Sequence, residues 1–476
     1  MNRSVRRLSL LTLFSCVVCL SCSRELPAAD KPNIILVMCD DLGWGDVGFN
    51  GGKIIRTPHL DAMAGNSLKF NRFYAQAPVC SPTRGSCLTG RHPFRFGIPT
   101  ANSGHIKPEE LTLAELLRKQ GYSTGHFGKW HVGTLTKTIK DANRGGPKGA
   151  KHFSPPQNNG FDVCFSTESK VPTYDPMIKP KGAKAGGHWD AMEERSKGEV
   201  YGTYYWNEKG ERVTDDLEGD DSRIIMDRAL PFIEQSAKSD NPFFAIIWFH
   251  TPHLPVVADA KHRAMYPEAE SVLARNYYGC VTAMDEQIGR LRERLRELSL
   301  DQNTMVTFCS DNGPEGNSSS PGSAGPFRGR KRSLYEGGVR VPGLIEWPAK
   351  IEPGVTDFPA VTSDYLPTII DYLGAVIEDD RPIDGISLRS VFAGEQDLRS
   401  RPIGFQSRTQ ASLSADQYKI YRPKDQAPWE LYDLLADPSE QDDIAADHPE
   451  IIACMARYFE SWKMSCARSD AGEDYN

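Results

Sequence analysis

The chain of 476 residues has a formal net charge of −7, and 39% of its residues are hydrophobic. A chain of this length and apolar content can bury a large core and a second, smaller unit. Its slightly acidic balance lacks the basic bias typical of nucleic-acid binding, so we expect no nucleic-acid partner. Any anionic ligand must therefore be bound by a local cluster of cations.

Residues 1–29 are predicted to be a signal peptide, so the protein is expected to be exported, to the periplasm or as a secreted protein. Three arginines precede an apolar stretch at residues 8–22, which is too short for an ordinary membrane-spanning helix. Two alanines favour cleavage after Ala29. Lipid attachment at Cys22 is the less favoured alternative. No later segment predicts a transmembrane span.

Apolar, β-branched runs predict four strands of an α/β sheet protein, at residues 33–39, 122–128, 243–250 and 304–309. Each run is followed closely by polar residues. Ligands of open parallel α/β sheets bind at the carboxyl ends of the strands. We therefore expect the polar residues that follow these four runs to form one site.

The segments between the strands predict both helices and loops. Residues 111–120 and 277–297 follow helical patterns, and the first of these helices should end at Gly121. Residues 137–157 and 312–329 are rich in glycine, proline and polar residues, which predicts loops. Loops at the carboxyl edge commonly carry substrate contacts.

The character of the sequence changes after about residue 400. Residues 417–422 and 429–433 predict strands, and residues 448–464 predict a terminal helix. We therefore expect a catalytic domain over 30–400 and a smaller C-terminal α+β subdomain over 401–476.

A C-x-P-x-R motif begins at Cys80, within the sequence CSPTRGSCLTGR of residues 80–91. It is predicted to open a helix, with Ser81 as the N-cap and Pro82 in the first turn. A helix N-terminus favours an anion beside it. Taken alone, the motif is also compatible with a buried cysteine in a helix cap.

Two further motifs place cations after predicted strands. The sequence GYSTGHFGKWH of residues 121–131 contains Lys129 and His131, which alone would suggest a surface lysine and a loop histidine. His253 lies in FHTPHLP, and Lys331 lies four residues before the tyrosine of YEGGVR. His250 is predicted to be a packing residue or a neighbour of the site.

Acidic and amide residues follow two of the predicted strands. Asp40 and Asp41 follow the first, and Asp311 and Asn312 follow the last. Such residues alone are also typical of ordinary turns. Occurring as two pairs after apolar strands, and without histidine or thiolate, they favour Ca²⁺ or Mg²⁺ over zinc.

In this order, the motifs resemble those of the formylglycine-dependent (type I) sulfatase family, of the arylsulfatase A and N-acetylgalactosamine-6-sulfatase kind. The resemblance spans roughly residues 31–435. It implies an alkaline-phosphatase-like α/β/α sandwich with a large, mostly parallel sheet. It also implies a sulfuric ester hydrolase that acts on sulfate monoesters, for which a sulfated carbohydrate is the expected substrate.

The resemblance further implies a cofactor and a modified nucleophile. A maturation enzyme would oxidise Cys80 to formylglycine. One Ca²⁺ would be bound by the following five residues: Asp40, Asp41, the modified Cys80, Asp311 and Asn312. Arg84 would lower the proton affinity of the attacking hydroxyl.

The remaining catalytic roles are implied in the same way. Lys129 and Lys331 would contact the sulfate group. His253, with Lys331 as the alternative, would protonate the leaving alcohol, and His131 would deprotonate the second hydroxyl of the hydrated aldehyde.

Two other functions remain open at this point. A phosphonate or phosphodiester hydrolase of the same superfamily can share the modified cysteine, although Asn312 beside Asp311 fits the sulfatase pattern better. If Cys80 stays a thiol, the protein would be a non-catalytic binder of sulfated glycans. Residues 102–105, 137–157 and 188–189 are candidates for a sugar subsite.

Overall fold

The computed structural model describes residues 31–184, 186–239 and 241–475, so the predicted signal peptide and Cys22 lie outside the described residues. The strands are β1 Asn33–Cys39, β2 Leu68–Phe70, β3 Phe73–Tyr74, β4 Ser123–Lys129, β5 Val163–Thr167, β6 Ile178–Pro180, β7 Gly198–Val200, β8 Tyr205–Asn207, β9 Phe243–Trp248, β10 Thr304–Ser310, β11 Arg340–Val341, β12 Gly343–Glu346, β13 Gly354–Thr356, β14 Ala360–Val361, β15 Ile403–Ser407, β16 Gln410–Ser414, β17 Tyr418–Arg422 and β18 Glu430–Asp433. The α-helices are α1 Pro58–Ala64, α2 Cys80–Thr89, α3 Leu113–Lys119, α4 Asp221–Lys238, α5 Ala260–Ala264, α6 Val272–Glu297, α7 Glu336–Val339, α8 Tyr365–Leu373, α9 Arg389–Phe392 and α10 Pro449–Asp470.

A nine-stranded sheet in the order β13-β2-β12-β10-β1-β9-β4-β5-β8 forms the centre of the molecule. Its five central strands, from β10 to β5, run parallel, whereas β12 and β8 pair antiparallel at either side. The four predicted strands are the adjacent strands β10, β1, β9 and β4. Continuous apolar runs suit this position, because both faces of a parallel sheet are buried.

Helices cover both faces of this sheet, which confirms the predicted α/β/α sandwich. Alternate side chains of β1 point to opposite faces, so Ile34 and Leu36 pack into one core and Ile35 and Val37 into the other. The first core includes residues of α2, α3 and α8, and the second includes residues of α1, α4 and α6.

The helix that contains the C-x-P-x-R motif begins two residues earlier than its predicted cap requires. Cys80 is already helical, Val79 has the extended backbone of the N-cap position, and no side chain caps the helix. The prediction of Ser81 as N-cap is therefore wrong. Pro82 still lies in the first turn. Backbone N–H groups there have no acceptor within the helix, so the missing N–H of proline costs no helical hydrogen bond.

The other long predicted helix also begins earlier, at Val272 instead of residue 277, because the Ser271 side chain accepts a hydrogen bond from the Ala274 backbone and caps it. The predicted loop at 312–329 contains no helix or strand. The predicted loop at 137–157 includes short 3-10 turns at Pro147–His152 and Pro156–Asn159.

The C-terminal part contains a separate antiparallel sheet of four strands, β15 to β18, against which α10 packs. Both predicted strands and the terminal helix are present, together with β15 and β16, which no sequence pattern predicts. We propose residue 401 as the start of this subdomain, because β15 begins at Ile403. Among the residues described, no helix is long and apolar enough to cross a bilayer.

Candidate functional site

The carboxyl ends of the central strands bring the predicted site residues together. Asp40 and Asp41 follow β1, Asp311 and Asn312 follow β10, and Lys129 ends β4. All five side chains are fully or almost fully buried. The clustering of groups from distant segments is thus a consequence of parallel strand order.

Arg84 connects the cysteine helix to this edge. From the second turn of α2, its guanidinium donates to one carboxylate oxygen of Asp311, with Nη2 at 2.7 Å and Nε at 3.1 Å. Nη1 donates to the backbone oxygen of Lys129 at 3.1 Å. The arginine side chain is completely buried, so these contacts replace the water that a charged group would otherwise bind.

Two lysines contact the acidic pair that follows β1. Lys129 Nζ lies 2.5 Å from Asp40 Oδ2, and Lys331 Nζ lies 2.8 Å from Asp41 Oδ2. Burial would raise the pKa of Asp40, but nearby cations, with Lys129 the strongest, keep it well below its usual range. The pKa of Asp311 is raised to about 7 by burial and by the neighbouring charge of Asp40.

The acidic and amide side chains at this edge also form a set of ligands that fits a hard cation. Ligand atoms of Asp40, Cys80 and Asp311 all lie within 4.8 Å of one another. Asn312 donates from Nδ2 to Asp41 at 2.7 Å, which leaves its oxygen Oδ1 free. That oxygen and Oδ1 of Asp40 are buried and have no hydrogen-bond partner among the described residues. Buried, unpaired carboxylate and amide oxygens are ligands that suit Ca²⁺.

Cys80 lies at the N-terminus of α2 and is buried. Burial is the main cause that raises the pKa of its thiol above the usual value. An unmodified Cys80 is therefore mostly a neutral thiol at pH 7, and a neutral thiol is a weak nucleophile.

His131 is oriented by a residue that the sequence reading had assigned to a sugar subsite. Asn102 Oδ1 lies 2.9 Å from His131 Nε2 and also accepts from Asn143 Nδ2 at 2.9 Å. An accepting oxygen places the ring proton on Nε2 and leaves Nδ1 as an acceptor. That nitrogen is buried, and no residue in the described part of the chain bonds to it. Burial, reinforced by Lys129, holds the pKa of His131 well below its usual value, so the ring is neutral.

The two histidines of FHTPHLP differ in their surroundings. His253 Nε2 lies 3.7 Å from Asp41 Oδ2, while its Nδ1 donates to the Leu254 carbonyl at 2.6 Å. Burial lowers the pKa of His253 to about 4. His250 is buried between Asp221 and Thr167, at 2.8 and 2.7 Å, and fits the predicted packing role.

The family comparison agrees with this arrangement. A model of the family described as Sulfatase matches residues 32–375. The chain belongs to the sulfatase family. A second model, described as N-sulphoglucosamine sulphohydrolase, C-terminal, matches residues 325–462. The predicted family, the predicted fold and the prediction of a sulfuric ester hydrolase are therefore confirmed.

Individual sulfatases resemble the chain over most of its length. It is 31% identical to mouse N-acetylgalactosamine-6-sulfatase over 411 residues, which are 83% of this chain and 72% of that protein. It is 30% identical to rat arylsulfatase G over 398 residues, which are 78% and 71%. The crystal structure of Ps i-CgsB in complex with k-i-k-neocarrahexaose has a TM-score of 0.76 and 28% identity, covering 91% of this chain and 93% of that one.

The sulfatase fold thus brings together all the residues predicted for catalysis and metal binding. Two neighbours of the site were not predicted from the sequence in these roles. Asn102 orients His131, and Lys170 lies just beyond β5. Neither belongs to a motif.

Proposed function

We propose that this sulfatase hydrolyses sulfate monoesters of a saccharide, with Cys80 converted to formylglycine and one Ca²⁺ bound beside it. The observation that carries the proposal is a single buried cluster in which Cys80, three carboxylates and three cations meet at one sheet edge. The crystallised relative with a bound neocarrahexaose supports a saccharide as substrate.

Formylglycine would supply a hydrated aldehyde, whose one hydroxyl attacks sulfur and whose other hydroxyl allows sulfate to leave. The raised pKa of the Cys80 thiol supports a need for this modification. A maturation enzyme that oxidises the cysteine is therefore an expected partner. We also propose export to the periplasm or beyond, from the predicted signal peptide at 1–29.

The cation would be held by Asp40, Asp41, Asp311, Asn312 and the modified residue 80, and it would supply positive charge beside the sulfate oxygens. Arg84, Lys129 and Lys331 would add fixed positive charge at the same place. Such preorganised charge stabilises the transition state, because the charged groups are already in place and need no reorganisation when the reaction occurs. Their effect is also stronger in a low-dielectric site than in water.

Proton transfers would be divided between the two sides of the site. The unpaired Nδ1 of neutral His131 suits a base that accepts the proton of the second hydroxyl. His253 offers a lone pair at Nε2 while its Nδ1 donates to Leu254. It therefore needs a second proton to act as the acid for the leaving alcohol, and Lys331 remains the alternative donor.

The decisive experiment is mass analysis of the peptide that contains Cys80, after production with and without a maturation enzyme. We expect the aldehyde mass and turnover of an aryl sulfate to appear together, and Cys80→Ala to abolish turnover while the fold is retained. Fully active protein that contains only the thiol would refute the proposed nucleophile. A preference for aryl phosphate esters over aryl sulfates would favour the phosphonate or phosphodiester hydrolase instead.

The metal is tested by elemental analysis and by thermal melting with and without a chelator. We expect one Ca²⁺ per chain in the wild type and none in Asp311→Ala. Stoichiometric calcium in that variant would remove Asp311 from the proposed ligands. Asp61→Ala, which removes a carboxylate outside the site, is the matched control and should keep its calcium.

A further inference from the structure

Lys170 lies at the same sheet edge as the catalytic cluster. Strand β5 ends at Thr167, which is paired in register with Lys129 of β4. The Trp130 backbone N–H donates to Thr167 O at 2.9 Å, so the two strand ends stay side by side. Lys170 follows Thr167 by three residues and is half-buried beside the site.

The ammonium group of Lys170 differs from its neighbours in having no carboxylate partner among the described residues. Lys129 and Lys331 pair with Asp40 and Asp41. The carboxylate of Glu168, two residues before Lys170, already accepts from Arg144 Nε at 3.1 Å and from the Gly145 backbone at 2.9 Å. A partly buried ammonium without an acceptor is costly unless a ligand supplies one.

Both the lysines and the carboxylates of the catalytic cluster act on Lys170. Burial, followed by the charges of Lys129 and Lys331, lowers the pKa of its ammonium, whereas Asp40 and Asp41 raise it. The cations that lower it are those proposed to surround the reacting sulfate. An anion bound at Lys170 would supply the partner that this ammonium lacks and would also be attracted by Lys129 and Lys331.

The 186–188 segment passes close to Lys170. A side-chain Cβ added at Gly186 would lie 3.7 Å from Lys170 Nζ and would meet no other atom of the described residues within 4 Å. His188 forms an isolated β-bridge with Val256, three residues after His253. This segment therefore follows the rim of the catalytic site, and the lack of a side chain at Gly186 leaves room beside the ammonium.

We propose that Lys170 binds a second anionic group of the substrate, a carboxylate or a further sulfate, on the sugar next to the ester that is cleaved. The proposal rests on the proposed function and narrows its substrate class to saccharides with at least two anionic groups. A compact ammonium on a flexible stem suits either group.

The test compares matured wild type and Lys170→Ala on three substrates: an aryl sulfate, a disulfated disaccharide, and a monosulfated disaccharide with a uronic acid. We expect the variant to lose about tenfold in kcat/KM on a doubly anionic saccharide relative to the aryl sulfate, mainly through KM, because one charge-assisted hydrogen bond is lost. Lys170→Arg should restore part of the preference. The matched control, Lys184→Ala, removes an exposed lysine of the neighbouring segment.

The affected saccharide identifies the anion. A loss of kcat/KM confined to the uronic acid substrate indicates that Lys170 binds the carboxylate, and a loss confined to the disulfated substrate indicates that it binds the second sulfate. An equal loss on all three substrates, or no change on any, would overturn the proposal. If the wild type cleaves no sulfate ester, the proposed function fails, but calorimetry of Cys80→Ala still tests Lys170. Weaker binding of either doubly anionic disaccharide in the Cys80→Ala, Lys170→Ala double variant would support its role, and unchanged binding of both would refute it.

Discussion

At the scale of single residues, the site depends on backbone conformations that few side chains adopt. Asp41 and His131 have positive φ angles of 67° and 62°. Gly128, just before Lys129, has φ of 105°, and a Cβ there would lie 2.0 Å from the Trp248 carbonyl oxygen. Non-glycine residues in this region are strained, and such strain persists where the surrounding structure fixes the residue. The glycine allows β4 and β9 to approach closely at the end that carries Lys129.

The hydrogen bond from His131 to Asn102 gives the first prediction. Asn102→Ala should reduce kcat on an aryl sulfate by about ten- to a hundredfold, because the imidazole loses its fixed tautomer and orientation. KM should change little. The pH–rate profile should also shift, and this shift distinguishes a lost orienting contact from a general loss of folded protein.

The control is Asn143→Ala, which removes an exposed amide that donates to the same Asn102 oxygen but does not contact His131. We expect a much smaller effect on kcat from this change. Equal effects of the two substitutions on kcat and on the pH profile would contradict the orienting role of Asn102.

At the scale of elements, helix α1 is fixed by a residue of another helix. The carboxylate of Asp285, in α6, accepts from the backbone N–H groups of His59 at 3.0 Å and Leu60 at 2.7 Å. These are groups at the start of α1 that no residue of the same helix can satisfy. Burial raises the pKa of Asp285 to about 7. The first turn of α1 therefore depends on a partner more than 200 positions away in the chain.

Asp285→Ala should lower the free energy of unfolding by about 1–3 kcal/mol for each buried N–H group left without an acceptor. Urea-induced unfolding followed by tryptophan fluorescence would measure the loss. The neighbouring Glu286→Ala, which removes a half-buried carboxylate paired with Lys261, should cost less than about 1 kcal/mol. A larger loss for Glu286→Ala than for Asp285→Ala would show that the cap contributes little.

At the scale of the whole molecule, a buried ion cluster joins the small C-terminal sheet to the catalytic part. Lys419 of β17 lies 2.9 Å from Glu336 of α7 and 2.8 Å from Glu440, and all three side chains are inaccessible to solvent. The Glu336 backbone N–H donates to Glu440 at 2.6 Å. Tyr74 also donates to Glu336, at 2.9 Å.

Lys419→Met should destabilise the protein by about 3–5 kcal/mol, because it leaves the buried Glu440 without its cation and Glu336 with only Arg340, while preserving most of the side-chain volume. The thermal midpoint should fall accordingly. Lys424→Met, at an exposed position shortly after β17, is the matched control and should melt with the wild type. Indistinguishable midpoints for the two variants would exclude a structural role for the cluster.

Acid stability should depend on His92, which lies between the catalytic part and α10, with its ring 4.6 Å from that of Trp462. Burial lowers the pKa of His92 to about 3 from its ordinary 6.5, and Arg95 lowers it further although Asp384 raises it. The unfolded chain therefore binds a proton that the folded protein excludes. Stability from this group is present above about pH 6.5 and decreases as the pH falls toward 3.

Within that window, each pH unit should cost up to about 1.4 kcal/mol. Urea midpoints at about pH 7 and pH 5 should differ less in His92→Gln than in the wild type. His59→Gln, at an exposed ring, should keep the wild-type difference. The same difference in His92→Gln as in the wild type would assign acid lability to other groups.

The sequence by itself determined the α/β fold, the four central strands and the identity of the clustered site residues. A continuous apolar run of strand length predicts a buried parallel strand. When such strands are adjacent and parallel, the polar residues that follow them lie at the same edge of the sheet. Asp40, Lys129 and Asp311 could be identified for this reason. The sequence predicted helix starts less well. Ser81 suggested an N-cap, but the N-cap position is occupied by Val79, which has an extended backbone.

Only the tertiary structure decided the contacts that depend on partners far away in the chain. Lys419 lies in a short strand whose sequence suggests an exposed lysine, yet it is buried because Glu336 and Glu440 fold against it. Asn102 and Lys170 belong to no motif, and their places beside His131 and Lys129 follow from the packing of loops and strand ends. Hydrogen bonds and ion pairs of this kind leave no periodic pattern in a sequence, because each depends on two distant side chains meeting in three dimensions.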